Sequence, residues 1–162
     1  LGGAAVLFVL SRTQQGQQAT GGALSFLNVE TSRLGALVSS RGYANNNPLN
    51  MRFLTSGAWN GQVANDGGFA VYDTPQNGTR AAGRQLRKYF AAGRRTVRDI
   101  VSTWAPSSEN DTDAYVNDVA GELDVDADSD DVSGMLPDLV RAMAKHENGY
   151  VDSSYDWNWA LL

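Results

Sequence analysis

Between residues 51 and 72 the apolar side chains alternate with polar ones, while on both sides they recur at helical spacing. That contrast constrains the fold more than any other feature of the chain. Met51 and Phe53 alternate with polar neighbours, and Phe69, Val71 and Asp73 alternate with Ala70 and Tyr72. Asn60-Gly61 and Asp66-Gly67-Gly68 supply turns. The pattern predicts a small antiparallel sheet of two or three short strands, ended by Pro75, Asn77 and Gly78. A chain of 162 residues has the length of one ordinary domain and buries a core without staples. The predicted class is α+β, mainly α.

The flanking helices are read from their apolar stripes and their caps. Ala23, Leu24, Phe26, Leu27 and Leu34 share one helix face, with Glu30 near its end. Residues 41–47 read as a loop, because Gly42 and three consecutive asparagines favour turns and Pro48 biases Asn47 toward extended backbone. Residues 79–92 form a helix with Ala82, Leu86, Tyr89 and Phe90 inward and Gly93 as its stop. Thr96 caps a helix over residues 97–104, closed by Pro106. Asp111 or Thr112 caps the next, which carries Tyr115, Val116, Val119 and Leu123. Ser133 caps the last, residues 135–147, with Pro137 in its first turn and Asn148-Gly149 as its stop.

Upstream of these helices, residues 4–10 are almost all apolar, a run well short of the ~20 that a bilayer span needs. The chain starts at Leu1 rather than Met, so the run reads as the end of a longer hydrophobic segment or as a helix packed on the domain. Residues 11–22 read as a polar spacer. The expected organisation is an apolar segment and spacer over residues 1–22 and one domain over residues 23–162.

With no cysteine, disulfides, thiolate zinc sites, iron–sulfur clusters and cysteine nucleophiles are excluded. One histidine, His146, excludes a two-histidine zinc site and leaves a serine–histidine triad only with His146 as base. Hydrolytic chemistry must then rest on carboxylates.

The net charge of −5 argues against a nucleic-acid protein by bulk charge. Seven basic residues nevertheless fall between Arg80 and Arg98, and ten acidic ones between Glu109 and Asp131. The plain account is two solvated helix faces; the functional one is a basic surface for an anionic polymer. Asp124, Asp126, Asp128, Asp130 and Asp131 resemble the opening of a calcium loop, but Ser129 stands where that loop needs Gly and Met135 where it needs Glu. A solvated loop before a helix is the simpler account.

Helical spacing would set Glu30 against Phe26, Leu27 and Leu34, and desolvation there would keep its proton near neutrality, as a general acid requires. An ordinary surface glutamate at a helix end is the competing account. The amides of Asn45, Asn46, Asn47 and Asn50 both donate and accept, which suits sugar hydroxyls and acetamido groups as well as it suits a turn. His146 favours a helix C-terminus electrostatically; alternatively His146 or Glu147 stands at a cleft rim. Trp59, Trp104, Trp157 and Trp159 are candidates to stack on sugar rings, Trp104 being the one better suited to a core.

Taken in order, these residues form a recognisable series. A late-helix glutamate precedes Asn46-Asn47-Pro48-Leu49-Asn50-Met51-Arg52 and Ala58-Trp59-Asn60-Gly61-Gln62. Gly68-Phe69-Ala70-Val71-Tyr72-Asp73-Thr74-Pro75, Thr96-Val97-Arg98-Asp99-Ile100, Trp104-Ala105-Pro106 and His146-Glu147-Asn148-Gly149 follow. The series resembles a family of phage virion proteins with a lysozyme-like, lytic-transglycosylase-type domain, and more narrowly the muralytic enzyme on the nucleocapsid of cystoviruses, the enveloped double-stranded RNA phages. Leu49 departs from the family, which usually carries Gly there, so a different tight loop is expected.

The resemblance implies a cleft between a helical lobe and a small sheet, with peptidoglycan as substrate and Glu30 as general acid. Substrate contacts are expected from Asn46, Asn47, Asn50, Tyr72 and Glu147. It implies a virion location at the nucleocapsid surface, action on the periplasmic wall during entry and a part in lysis at exit. It implies no cofactor and no metal; no nucleic acid is required, and any membrane contact would be made through the N-terminal segment. Asp66, Asp73 and Glu147 are candidates for a second carboxylate. The cystoviral enzymes are commonly described as endopeptidases that cut between diaminopimelate and D-alanine, which a chain with no thiol and one histidine performs awkwardly. Glycan cleavage therefore ranks first, peptide cleavage second, and a non-catalytic wall-binding or structural virion protein is the alternative of another class.

Overall fold

The computed structural model describes residues 39–108 and 110–162. The expected boundary between residues 22 and 23, the helix around Glu30 and Glu30 itself lie outside them.

The described chain opens with one helical turn, α1 (Arg41–Ala44), inside the stretch read as a loop. Ser40 supplies the local reason: its Oγ accepts a bond from the Tyr43 amide and caps the turn. The asparagine loop follows. Strands β1 (Gln62–Asp66) and β2 (Phe69–Tyr72) then pair antiparallel, with Asp66 opposite Phe69 and Gln62 opposite Tyr72. Gly67 and Gly68 both take positive φ at the turn between them. The sheet has two strands, because the Met51–Phe53 stretch contributes only a single bridge, Arg52 to Phe69. Ala70 and Tyr72 point into the core, and Phe69 and Val71 to the other face.

Four longer helices complete the described unit: α2 (Pro75–Ala91), α3 (Val97–Trp104), α4 (Thr112–Leu123) and α5 (Leu136–Asn148), with a final 3-10 turn over Trp157–Leu161. The class is thus mainly helical with a small antiparallel sheet, as the alternation predicts. Helix α2 begins four residues before the expected start. Thr74 caps it and Pro75 occupies its first turn, so Asn77 and Gly78 lie within the helix rather than ending the sheet. Gly78 is there because a Cβ at that position would overlap the Asn46 carbonyl oxygen.

Helix α3 has the expected bounds. Thr96 accepts from the Asp99 amide while the Asp99 side chain reaches back to the Thr96 amide, a reciprocal cap. Asp111 caps α4, and Gly149 ends α5 in the left-handed region. Ser133 does not cap α5, which starts at Leu136 with no side-chain cap; the Ser133 hydroxyl accepts from Arg95 instead.

The core gathers Leu86 from α2, Ile100 and Val101 from α3, Val116 and Val119 from α4, and Leu139, Val140 and Met143 from α5. Leu49, the residue that departs from the family pattern, is fully buried in it. Its loop takes left-handed backbone at Asn46 and Asn50 on either side.

Two cations of the basic stretch, Arg95 and Arg98, meet the acidic stretch. Asp126 accepts from the backbone amides of Asp128 and Ser129, Arg98 pairs with Asp113 and Asp128, and Arg95 pairs with Asp131. Arg80, Lys88 and Arg94 lie over Trp159, Trp59 and Tyr89, and Arg87 donates to the Ala160 carbonyl. No described helix is long and apolar enough to cross a membrane.

Candidate functional site

The asparagine loop is held on two sides, and its side chains do most of the holding. Asn47 is buried, with Nδ2 donating to the carbonyls of Met51 and Ala70 at 2.9 Å and Oδ1 accepting from the Met51 amide at 2.8 Å. Asn46 donates to the Tyr72 carbonyl at 2.9 Å, and Asn45 to Asp66 Oδ2 at 2.8 Å. These five bonds fasten the loop to the Met51 segment and the hairpin. On the other side Asn148, at the end of α5, donates to the carbonyls of Pro48 and Ala144 and accepts from Ser40.

Glu147 completes the arrangement. One oxygen accepts from Asn50 Nδ2 at 3.0 Å; the other accepts from Trp104 Nε1 at 3.1 Å and from the Tyr115 hydroxyl at 3.0 Å. A half-buried carboxylate on α5 thus ties the loop, the end of α3 and the middle of α4 to one point. Hydrogen bonds to an ionised acceptor are roughly twice as strong as neutral ones. Burial, and then the Glu147 charge and hydrogen bond, push the Tyr115 phenol well above its usual range, so it stays a donor.

Beside this cluster the Tyr115 ring stacks on the His146 imidazole at 3.8 Å between centroids, and His146 Nδ1 lies 2.7 Å from Asp118 Oδ2. A cavity of about 280 Å³ opens there, lined by Asp118, Glu122, Ala142, Lys145, His146 and Gly149. No serine or threonine is among those residues, so the described residues give His146 no nucleophile in that cavity. Among the described residues no group of three or more acidic or histidine side chains is arranged to hold a metal ion.

Of the expected substrate contacts, Asn47 and Tyr72 are corrected by burial: each is about 1% exposed. Asn47 builds the loop, and the Tyr72 ring packs in the core with its hydroxyl toward Met51 Sδ. Asn46, Asn50 and Glu147 are half-buried and stand together with the loop, with the Asn46 and Asn50 amide nitrogens already committed. The second-carboxylate candidates are equally engaged, Asp66 by Arg41 and Asn45, and Asp73 by Asn77. Trp104 and Tyr115 supply two of the three donors of the Glu147 cradle. Their spacing gives no local sign of it, because they sit on different helices.

These elements define a small, mainly helical protein whose asparagine loop and hairpin are locked to a glutamate in the helical layer. No family model matches the chain. It is 35% identical over 123 residues to Protein P5 of Pseudoalteromonas phage PM2, covering 73% of this chain and 77% of that protein. The chain belongs to the family of that phage protein. PM2 is a lipid-containing double-stranded DNA phage, so this kinship lies outside the cystoviruses to which the motif series pointed.

Proposed function

We propose that the chain is a virion enzyme of a bacteriophage that degrades peptidoglycan, opening the host wall during entry and contributing to lysis at exit. The observation that carries this reading is the asparagine loop, locked by hydrogen bonds between the hairpin and Glu147. A loop fixed in this way offers a saccharide a preformed wall, at little cost in ordering when substrate binds. The kinship with a phage protein and the ordered motif series support the same reading.

The chemistry is assigned to Glu30. Protonated, it gives its proton to the oxygen bridging N-acetylmuramic acid and N-acetylglucosamine, and the sugar–oxygen bond breaks. The resulting carboxylate then takes a proton from the attacking hydroxyl. Attack by the sugar's own C6 hydroxyl closes a 1,6-anhydro ring; attack by water leaves a reducing end. Glycan cleavage is favoured over peptide cleavage by the chain's lack of thiols and by the setting of His146, which faces Asp118 and is covered by Tyr115.

Mass spectrometry of digested sacculi tests the reading. Anhydro- or reducing-end muropeptides that vanish with Glu30→Gln are the expected result. Cut cross-links would transfer the activity to the peptide bridge. Sacculus binding with no soluble product would make the chain a wall-binding module.

A further inference from the structure

Among the described cations Arg41, Arg95, Arg98, Arg141 and Lys145 are paired with acids, whereas Arg52, like Lys88 and Arg94, rests on an aromatic ring. Arg52 is exposed, and among the described residues it makes no ion pair. Its guanidinium carbon lies 4.5 Å from the centroid of the Phe69 ring, and that of Arg41 lies 4.4 Å from the same centroid. The two arginines are not equivalent. Arg41 is spent on the hairpin turn, with Nε 2.8 Å from Asp66 Oδ2 and a terminal nitrogen donating to the Asp66 carbonyl. Arg52 is held by the ring and by its backbone bridge to Phe69, and among the described residues its planar fork of donors is uncommitted. The neighbouring Gly68 puts no side chain over it; a Cβ there would already stand 3.6 Å from its terminal nitrogen. Asp66 also accepts from Asn45, so this patch is continuous with the asparagine loop.

We propose that Arg52, positioned on Phe69 beside the asparagine loop, is a binding site for a carboxylate of the wall polymer. The proposal rests on the reading of the chain as a peptidoglycan enzyme and adds a charge-selective contact to its groove. A guanidinium binds a planar carboxylate through two parallel N–H···O bonds, and a ring face preorients the fork for that geometry. The stem peptides of peptidoglycan supply such carboxylates along every glycan strand. Nucleic-acid phosphate is the less suitable anion, given a net charge of −5 on the whole chain.

The test is co-sedimentation of the full chain with intact sacculi and with sacculi whose carboxyls have been converted to amides. Arg52→Ala should weaken binding to intact sacculi about fivefold, the low end for a charge-assisted contact at an exposed position. On amidated sacculi it should bind like wild type. Arg52→Lys keeps the charge without the fork and should fall between; it also decides the matter should Arg52→Ala fold poorly. Equal binding of wild type and variants to intact sacculi, or equal loss on both substrates, overturns the proposal. Tighter wild-type binding to duplex oligonucleotides than to sacculi, lost in Arg52→Ala, overturns it in favour of phosphate. A wild type that cuts sacculi while Arg52→Ala binds unchanged removes this site alone. A wild type that neither binds nor cuts removes the enzymatic reading with it.

Discussion

Asn50 donates its amide to Glu147 at 3.0 Å across 97 residues of sequence, and this bond closes the asparagine loop against the helical layer. The same carboxylate serves Trp104 and Tyr115, so its loss acts on three elements at once. Glu147→Ala leaves the buried Tyr115 hydroxyl and the Trp104 indole without their acceptor. An unsatisfied buried donor costs about 1–3 kcal/mol, and the expected total loss is about 2–4 kcal/mol. Glu147→Gln keeps a carbonyl acceptor but opposes a second amide to Asn50, and should cost about half as much. Urea unfolding of the three proteins measures both; losses under about 0.5 kcal/mol would mark Glu147 as an ordinary surface residue.

Two helical glycines should respond in opposite directions. Gly78 lies in α2 where a Cβ would overlap the Asn46 carbonyl oxygen, so Gly78→Ala must push the loop off the helix. Gly121 lies in α4 with open space around it and ordinary helical backbone. Gly121→Ala should stabilise by about 0.5–1 kcal/mol, whereas Gly78→Ala should destabilise by about 2 kcal/mol or more despite the same gain in helix propensity. Thermal unfolding of the pair decides it, and a Gly78→Ala protein as stable as wild type would mean that the loop does not need this close approach.

How much of this was legible depends on the range of the interactions. Helix α3 was readable to its ends because its cap, Thr96 with Asp99, is complete within four residues. Gly149 was readable for the same reason. Gly78 misled because the local rule for glycine is a turn, while its actual cause is the backbone of Asn46, over thirty residues earlier. The short helix at Arg41–Ala44 was hidden by Gly42, whose missing Cβ in fact makes room for the Asn148 side chain. The asparagines stand out in the sequence, but their residue type fits both sugar contact and loop construction. Burial distinguishes the two for Asn47, and burial is a property of the whole fold. The Glu147 cradle had no sequence signature, since its donors lie 97, 43 and 32 residues away.

Buried phenols should set the alkaline limit of stability. Burial pushes Tyr43 up to about 12 and Tyr72 and Tyr155 higher still, and it raises Tyr115 well above the usual phenol range. Above the ordinary value of 10.0 these groups ionise in the unfolded chain while staying neutral in the folded one. The unfolded state then binds fewer protons, so stability falls as pH rises from about 10. Denaturant midpoints between pH 8 and pH 11 should show the decline, and Tyr43→Phe should make it shallower. Midpoints that hold steady to pH 11 would show these phenols to be accessible.

The pairing of His146 with Asp118 bears on which bond the protein cuts. The imidazole stacks on Tyr115 at 3.8 Å and presents Nδ1 to Asp118 at 2.7 Å. His146→Phe preserves the stacked ring and deletes the nitrogens, so it separates packing from proton transfer. If Glu30 supplies the proton to a glycosidic oxygen, sacculus digestion by His146→Phe should stay within about twofold of wild type, because a positioned proton-transfer group is typically worth 10²–10⁴-fold and this histidine would not be one. A fall of about a thousandfold, with folding intact, would instead make His146 the general base. It would shift the activity to the peptide bridge, which is the one outcome under which the sole histidine of the chain would carry the chemistry.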